Sequence, residues 1–219
     1  MADLRERWKR DRLTAAVYDL GVQSYPVAWA GGRALWGYEI NRLWKSVGEL
    51  AGTPDDSVVL DLPCGGGTSF RALSRGRRLR YVAADLSETM LDRARAQAAG
   101  RSLGQVRFVR TDAGSLPFAD ASFDLVTSFN GLHVFADPAG AVAEFARVLR
   151  PGGTLRGTAV VTGERRRGDL LVRALRLTGT FGPAGSADDL ESWLSPHFDD
   201  VEIETAGSVA GFSARRITP

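Results

Sequence analysis

The chain has 219 residues, 44% of them hydrophobic and 25% charged, with a net charge of +2 and one cysteine. That length fills one α/β domain with a full core, and the single Cys64 excludes an intramolecular disulfide and a multi-cysteine metal site. The small net charge gives no sign of nucleic-acid binding, no apolar run approaches the roughly 20 residues of a membrane span, and the mixed-charge start M-A-D-L-R-E-R-W has no signal-peptide core, so a cytoplasmic location is expected.

Residues 1–50 read as helical. Leu4, Trp8, Leu13, Val17 and Leu20 fall at mostly helical spacing, Gly21 and Pro26 interrupt, and a second helical stretch runs from Ala34 to Leu50. Four of the five tryptophans, Trp8, Trp29, Trp36 and Trp44, lie in this part. Such rings either pack helices onto a domain or form a lid whose aromatic faces line an apolar substrate pocket. Tyr18 and Tyr25 are then candidates to cover a cofactor or orient an acceptor. The turn Thr53-Pro54-Asp55-Asp56 ends the segment, and residues 51–219 read as the main domain.

A first strand, Val58–Leu62, runs into the turn Pro63-Cys64-Gly65-Gly66-Gly67, and a helix is expected over Thr68–Ser74. Glycine accepts φ > 0 and lets a ligand approach the backbone, while a helix start offers unpaired N–H groups. Strand 2 covers Arg80–Ala84 and ends at Asp85. Ser87 caps a helix over Glu88–Ala98. Strand 3 is Val106–Val109, followed by Thr111-Asp112-Ala113. Strand 4 is Phe123–Ser128, with Phe129-Asn130-Gly131 leaving its end. Asp137 and Pro138 open a helix to Leu149, Arg150-Pro151-Gly152-Gly153 breaks it, and strand 5 is Thr154–Val161. Residues 162–185 form a variable insertion containing a basic amphipathic helix. Its arginines from Arg165 to Arg176 are either a solvated face or a surface for a membrane or an anionic ligand. Ser186 caps a helix to Ser195, and strands at Asp200–Thr205 and Ser208–Arg216 form an antiparallel hairpin around Gly207.

Strands alternating with helices predict a mainly parallel sheet covered on both faces. Ligands of such sheets bind outside the carboxyl ends of the strands, where Asp61–Gly67, Asp85, Asp112 and Asn130 all fall. A glycine turn alone serves NAD, FAD or S-adenosylmethionine. The spacing here is D-x-x-x-G-x-G, not the G-x-G-x-x-G of a dinucleotide site, which disfavours a nicotinamide oxidoreductase. Asp85 lies 24 positions after Asp61, close to the roughly 20 residues expected before a ribose-binding acid. It either accepts from ribose hydroxyls or caps the next helix, a task Ser87 already fills. Asp112 and the Ala113 N–H suit an adenine edge. The Asn130 carbonyl suits the amino-acid part of the cofactor. Asp61 organises the turn or reaches an ammonium through water. Pro63, Cys64, Gly65 and Gly67 of the turn, with Leu86 and Met90 beside Asp85, complete the cofactor-binding set. His133, three residues after Asn130, is either a general base or a packed structural group, and His197 reads as structural.

Four stretches resemble class I S-adenosylmethionine-dependent methyltransferases of the ubiquinone/menaquinone-biosynthesis type: V-L-D-L-P-C-G-G-G, V-A-A-D-L-S-E-T-M-L, T-D-A-G-S-L-P-F-A-D-A-S-F-D-L-V and R-V-L-R-P-G-G-T-L. The resemblance covers residues 55–160. It implies a Rossmann-like three-layer sandwich whose seven-stranded, mainly parallel sheet has an antiparallel last strand, here behind an N-terminal helical lid. It also implies S-adenosylmethionine as methyl donor, S-adenosylhomocysteine as product and no metal. The first loop glycine of that family is Pro63 here. The reaction expected is O-, C- or N-methylation of an apolar or aromatic small molecule such as a quinone, lipid or secondary metabolite. The alternatives are an RNA or protein methyltransferase and a non-catalytic cofactor-binding module. A nucleic-acid partner is not expected, since Asn130-Gly131-Leu132-His133 lacks the N/D-P-P-Y/F pattern of amino-group methylases.

Overall fold

A computed structural model describes residues 29, 31–38 and 40–218. Seven strands form one sheet: β1 (Val58–Asp61), β2 (Arg80–Asp85), β3 (Val106–Arg110), β4 (Phe123–Phe129), β5 (Leu149–Val160), β6 (Phe198–Ala206) and β7 (Val209–Arg216). Their order is β3-β2-β1-β4-β5-β7-β6. The first five strands pair in parallel, and β7 runs antiparallel to both β5 and β6. The seven-stranded mainly parallel sheet with its antiparallel last strand is therefore observed.

Alternation along the strands explains the layers. Val59, Tyr81 and Ala83 face one side of the sheet, and Leu60, Ala84 and Val126 face the other. Against the first side pack α1 (Ile40–Gly48) through Leu43 and Val47, α2 (Glu88–Gly100) through Leu91 and Ala94, and α4 (Arg166–Leu177) through Val172. Against the second pack α3 (Pro138–Val148), through Val142 and Phe145, and α5 (Ala187–Leu194), through Leu190 and Leu194. Both faces bury apolar side chains, so the central strands read as continuous hydrophobic runs.

Local signals set the helix starts. The Ser87 hydroxyl accepts from the Met90 N–H, the Asp137 carboxylate accepts from the Gly140 N–H, and Ser186 with Asp189 forms a reciprocal capping box.

Three expectations are corrected. The helix expected over Thr68–Ser74 is one 3₁₀ turn, Thr68–Ala72, whose side chain Phe70 is buried against Tyr81 and Phe108. The single helix expected over Ala34–Leu50 is divided into a π turn at Gly32–Trp36, then α1, then a 3₁₀ turn at Glu49–Gly52; Gly37 takes φ +61 and ends the first piece. Strand β5 begins at Leu149 rather than Thr154, because Leu149 pairs with Phe123 across an irregularity and Arg150 reaches the Asp124 carboxylate. The expected helices before Trp29, with Leu4, Trp8, Tyr18 and Tyr25, lie outside the described residues.

Candidate cofactor and substrate cleft

The parallel strands deliver their following loops to one edge, and a cleft opens there. It encloses about 1060 Å³ of space free of protein atoms, its open mouth included. Pockets for drug-sized ligands run to about 300–1,000 Å³.

The floor is the turn after β1. Leu62 donates its N–H to the Thr127 carbonyl at 2.9 Å and Cys64 donates to the Ala84 carbonyl at 2.8 Å. These bonds tie the turn to β4 and β2. Pro63 stands between the two donors, at a position the sheet does not ask to donate. Its ring packs on Gly131, where an added Cβ would lie 2.4 Å from Pro63 Cδ and 2.3 Å from Ser128 Oγ. Gly65 takes φ +52, and a Cβ there would stand with nothing within 4 Å. The backbone at Gly65 is thus exposed to the cleft, which Gly66 also lines. Gly67, by contrast, is turned away: a Cβ on it would strike the Phe70 ring at 2.6 Å.

Asp85 is the central polar group. Its Oδ2 accepts from the Gly65 N–H and its Oδ1 from the Ser87 N–H, each at 2.9 Å. One carboxylate therefore locks the glycine turn to the start of α2. Burial pushes its carboxyl up to about 6, opposed by those N–H bonds. It remains ionised, and so an acceptor, at neutral pH. Leu86 and Met90 line the same wall.

After β3, the Asp112 carboxylate accepts from the Gly114 N–H at 2.9 Å, which fixes the turn that brings Asp112 and Ala113 to the cleft. After β4, Asn130 takes φ +54, a conformation tolerated by asparagine. Its N–H donates to Thr158, and Thr158 Oγ1 donates to its Oδ1 at 3.1 Å. The structure thus brings Pro63, Cys64, Gly65, Asp85, Leu86, Met90, Asp112, Ala113 and Asn130 around one cleft.

Besides Gly67, two more residues singled out from sequence are placed elsewhere. Asp61 lies beneath the floor, fully buried. Tyr81 donates to its Oδ2 at 2.9 Å, Thr127 to its Oδ1 at 3.2 Å, and Ser69 also hydrogen-bonds to it. Burial raises its carboxyl to about 7. His133 is turned behind the wall by the 3₁₀ turn Leu132–Val134. Its Nδ1 accepts from the Val160 N–H at 3.0 Å, and its ring centroid lies 4.5 Å from that of Phe181. Burial drives it down to about 3, so it stays neutral. This geometry gives His133 a packing role and does not offer it to a ligand in the cleft. Tyr18 and Tyr25 lie outside the described residues.

The apolar wall was not read from the sequence. Leu43 of α1, Phe129 at the end of β4, and Val134 and Phe135 beyond it line the cleft. The signal for the last two was the segment F-N-G-L-H-V-F itself, read for its histidine instead of its flanking apolar residues. Among the described residues, the titratable side chains on the wall are Cys64, Asp85, Asp112 and Asp137. Burial and the neighbouring Asp85 and Asp61 charges hold the Cys64 thiol well above its ordinary range, so it stays protonated. No group of three or more histidine, cysteine or acidic side chains suited to a metal occurs among the described residues.

Residues 60–156 match the family model described as a methyltransferase domain. A demethylmenaquinone methyltransferase of Clavibacter sepedonicus is 39% identical over 140 residues, covering 62% of this chain and 56% of that protein. A ubiquinone/menaquinone biosynthesis C-methyltransferase of Stutzerimonas stutzeri is 40% identical over 120 residues, covering 53% of this chain and 47% of that protein. The chain spans about half the length of these curated relatives. A solved structure of phosphoethanolamine N-methyltransferase 2 from Haemonchus contortus, in complex with phosphomonomethylethanolamine and S-adenosylhomocysteine, superposes with a TM-score of 0.75 at 16% identity, over 100% of this chain and 61% of that one. At that identity the likeness concerns the fold alone.

Proposed function

We propose that the chain, whose residues 60–156 match a methyltransferase-domain model, transfers the methyl group of S-adenosylmethionine to an apolar or aromatic small molecule. A quinone-type carbon acceptor is the first candidate, in view of what the curated relatives are named for. The observation that carries the reading is the convergence of the Gly65 turn, the Asp85 carboxylate, the Asp112–Ala113 turn and Asn130 on one cleft with an apolar wall.

The residues present fit this cofactor. The open backbone at Gly65 leaves room for a close ligand. The Asp85 carboxylate, with Oδ1 and Oδ2 each holding one backbone N–H, keeps lone pairs for vicinal ribose hydroxyls. Asp112 and the Ala113 backbone would hold the adenine edge. Asn130, fixed by Thr158, would meet the amino-acid part. When bound, the sulfonium supplies an electrophilic methyl group, so the protein's share is alignment and the exclusion of water. Leu43, Phe129, Val134 and Phe135 serve both, and their apolar character sets the acceptor class.

The test is transfer of labelled methyl from S-adenosylmethionine to demethylated quinols, phenols and small acids. Tight S-adenosylhomocysteine binding with no labelled product on any acceptor would favour a non-catalytic binding module.

His133 gives a separate expectation. His133→Asn keeps an acceptor near the Val160 N–H, whereas His133→Ala leaves that donor buried and unpaired, at a cost of about 1–3 kcal/mol. Turnover of either variant stays within about tenfold of the parent, since loss of a general base costs roughly 10²–10⁴. The folded group's pKa, about 3, lies below the 6.5 of an unperturbed histidine. Its contribution to stability is therefore complete above pH 6.5 and is lost as pH falls toward 3. Chemical denaturation across that range shows the parent losing stability that His133→Asn keeps. A hundredfold fall in turnover at unchanged stability would restore the catalytic role.

A further inference from the structure

A second surface stands outside the cleft. Among the described residues, the large apolar side chains left exposed are Trp29, Leu35, Leu170 and Leu177. They belong to two pieces of chain that pack on each other, the Gly32–Trp36 turn with its flank and helix α4. Residues of α4 at i, i+4 and i+7, namely Leu170, Ala174 and Leu177, share one side of the helix. Val172 and Gly168, on the opposite side, are buried against the domain. Leu170 is 65% exposed and Leu177 90%, values that packing among the described residues does not explain.

Charge surrounds this outward stripe. At 100° per residue, Arg166 and Arg173 fall on one flank and Arg167 on the other, all three exposed. The helix carries four arginines, Arg176 being the fourth, against the single acid Asp169, whose carboxylate accepts from the Gly163 N–H. Arg33 adds a further cation over the Trp29 ring, 5.6 Å from its centroid.

We propose that α4 and the adjoining turn dock the protein on an anionic bilayer surface. Leucines flanked by arginines, with a tryptophan beside them, match a headgroup region that takes apolar side chains below and cations at its plane. A solvated arginine face would need no leucines at its centre. Helix α4 follows β5 and stands at the same strand ends as the cleft, and Val172 on its inner side belongs to the core cluster that holds the cleft residues Leu43 and Phe129. Docking therefore sets the cleft beside the bilayer. Delivery of a lipid-dissolved acceptor rests on the methyl-transfer reading, while docking itself does not.

Co-sedimentation of the full chain with phosphatidylcholine vesicles, with and without phosphatidylglycerol, tests this without cofactor. Binding is expected to the anionic vesicles and to weaken at high salt. Replacing Arg166, Arg167 and Arg173 by alanine should lower the partition coefficient roughly 100-fold, at about fivefold per cation. The double variant Leu170→Ser/Leu177→Ser should lower it as well. Both variants should keep the parent's thermal unfolding and S-adenosylhomocysteine affinity, because the altered side chains are exposed. Absence of vesicle binding, binding indifferent to phosphatidylglycerol, or variants that bind like the parent would overturn the proposal. So would a parent dimer that the leucine variants dissociate, which would assign the surface to a second copy of the chain. Vesicle binding without methyl transfer would refute the catalytic reading and leave docking intact.

Discussion

Asp85→Ala should weaken S-adenosylhomocysteine binding by roughly 100-fold. The carboxylate is buried, ionised at neutral pH and already oriented by the Gly65 and Ser87 N–H groups. Hydrogen bonds to a charged group contribute about 1.5–3 kcal/mol each, so losing a pair of hydroxyl contacts costs around 3 kcal/mol, or two decades in Kd. Asp85→Asn keeps one acceptor oxygen and should lose only about tenfold. The same acceptor logic gives a pH dependence. The carboxyl titrates at about 6 in the free protein, and its ionised form is the better acceptor, so affinity should rise from pH 5 to pH 7 in the parent and stay flat in Asp85→Asn. Isothermal titration reads both effects, and thermal unfolding without ligand separates them from loss of the turn. Parent-like affinity in Asp85→Ala would remove Asp85 from the binding site, and with it the observation on which the cofactor reading leans most.

Asp85, Asp112 and Asn130 were legible because a parallel sheet brings the ends of its strands to one edge whatever the side chains do. Their placement at the cleft needed only strand boundaries, and the runs V-V-L-D, Y-V-A-A-D and F-D-L-V-T-S-F mark those boundaries. His133 was harder for a physical reason. It lies three positions after Asn130, and the 3₁₀ turn Leu132–Val134 that carries it decides which way the ring points. Its partner, the Val160 N–H, is 27 residues away, and no local pattern announces such a bond. Leu43 likewise reaches the cleft from α1, a helix whose docking depends on burial of Val47 and Leu50 beside it. Pro63 marks a different limit. A family template asks for glycine there, yet the neighbouring donors Leu62 and Cys64 carry the hydrogen bonds, and Gly131 on the facing loop gives up the space its ring occupies.

Asp61 shows how a residue can sit in a family-like stretch and act from underneath it. Tyr81, Thr127 and Ser69 all hydrogen-bond to its carboxyl group. Asp61→Ala strands these buried hydroxyls and opens a void below the turn. At about 1–3 kcal/mol for an unsatisfied buried group, the loss of stability should be roughly 3 kcal/mol under mildly acidic conditions, while Tyr81→Phe removes one bond and should cost about 1 kcal/mol. The two changes share a partner, so the double variant should be more stable than the sum predicts. The pH dependence has the opposite sign to the His133 case. Burial raises the folded carboxyl from 3.8 to about 7, so between those values the native state binds the extra proton and its stability falls as pH rises. Asp61→Ala abolishes that fall, and its cost should be largest near pH 4 and smaller at pH 8. Because the carboxyl group acts through the turn, S-adenosylhomocysteine affinity should drop alongside stability. A variant with parent-like stability and lost affinity would instead put Asp61 in contact with the ligand, and the floor of the cleft would then be one layer thinner than the Tyr81–Asp61–Thr127 network makes it.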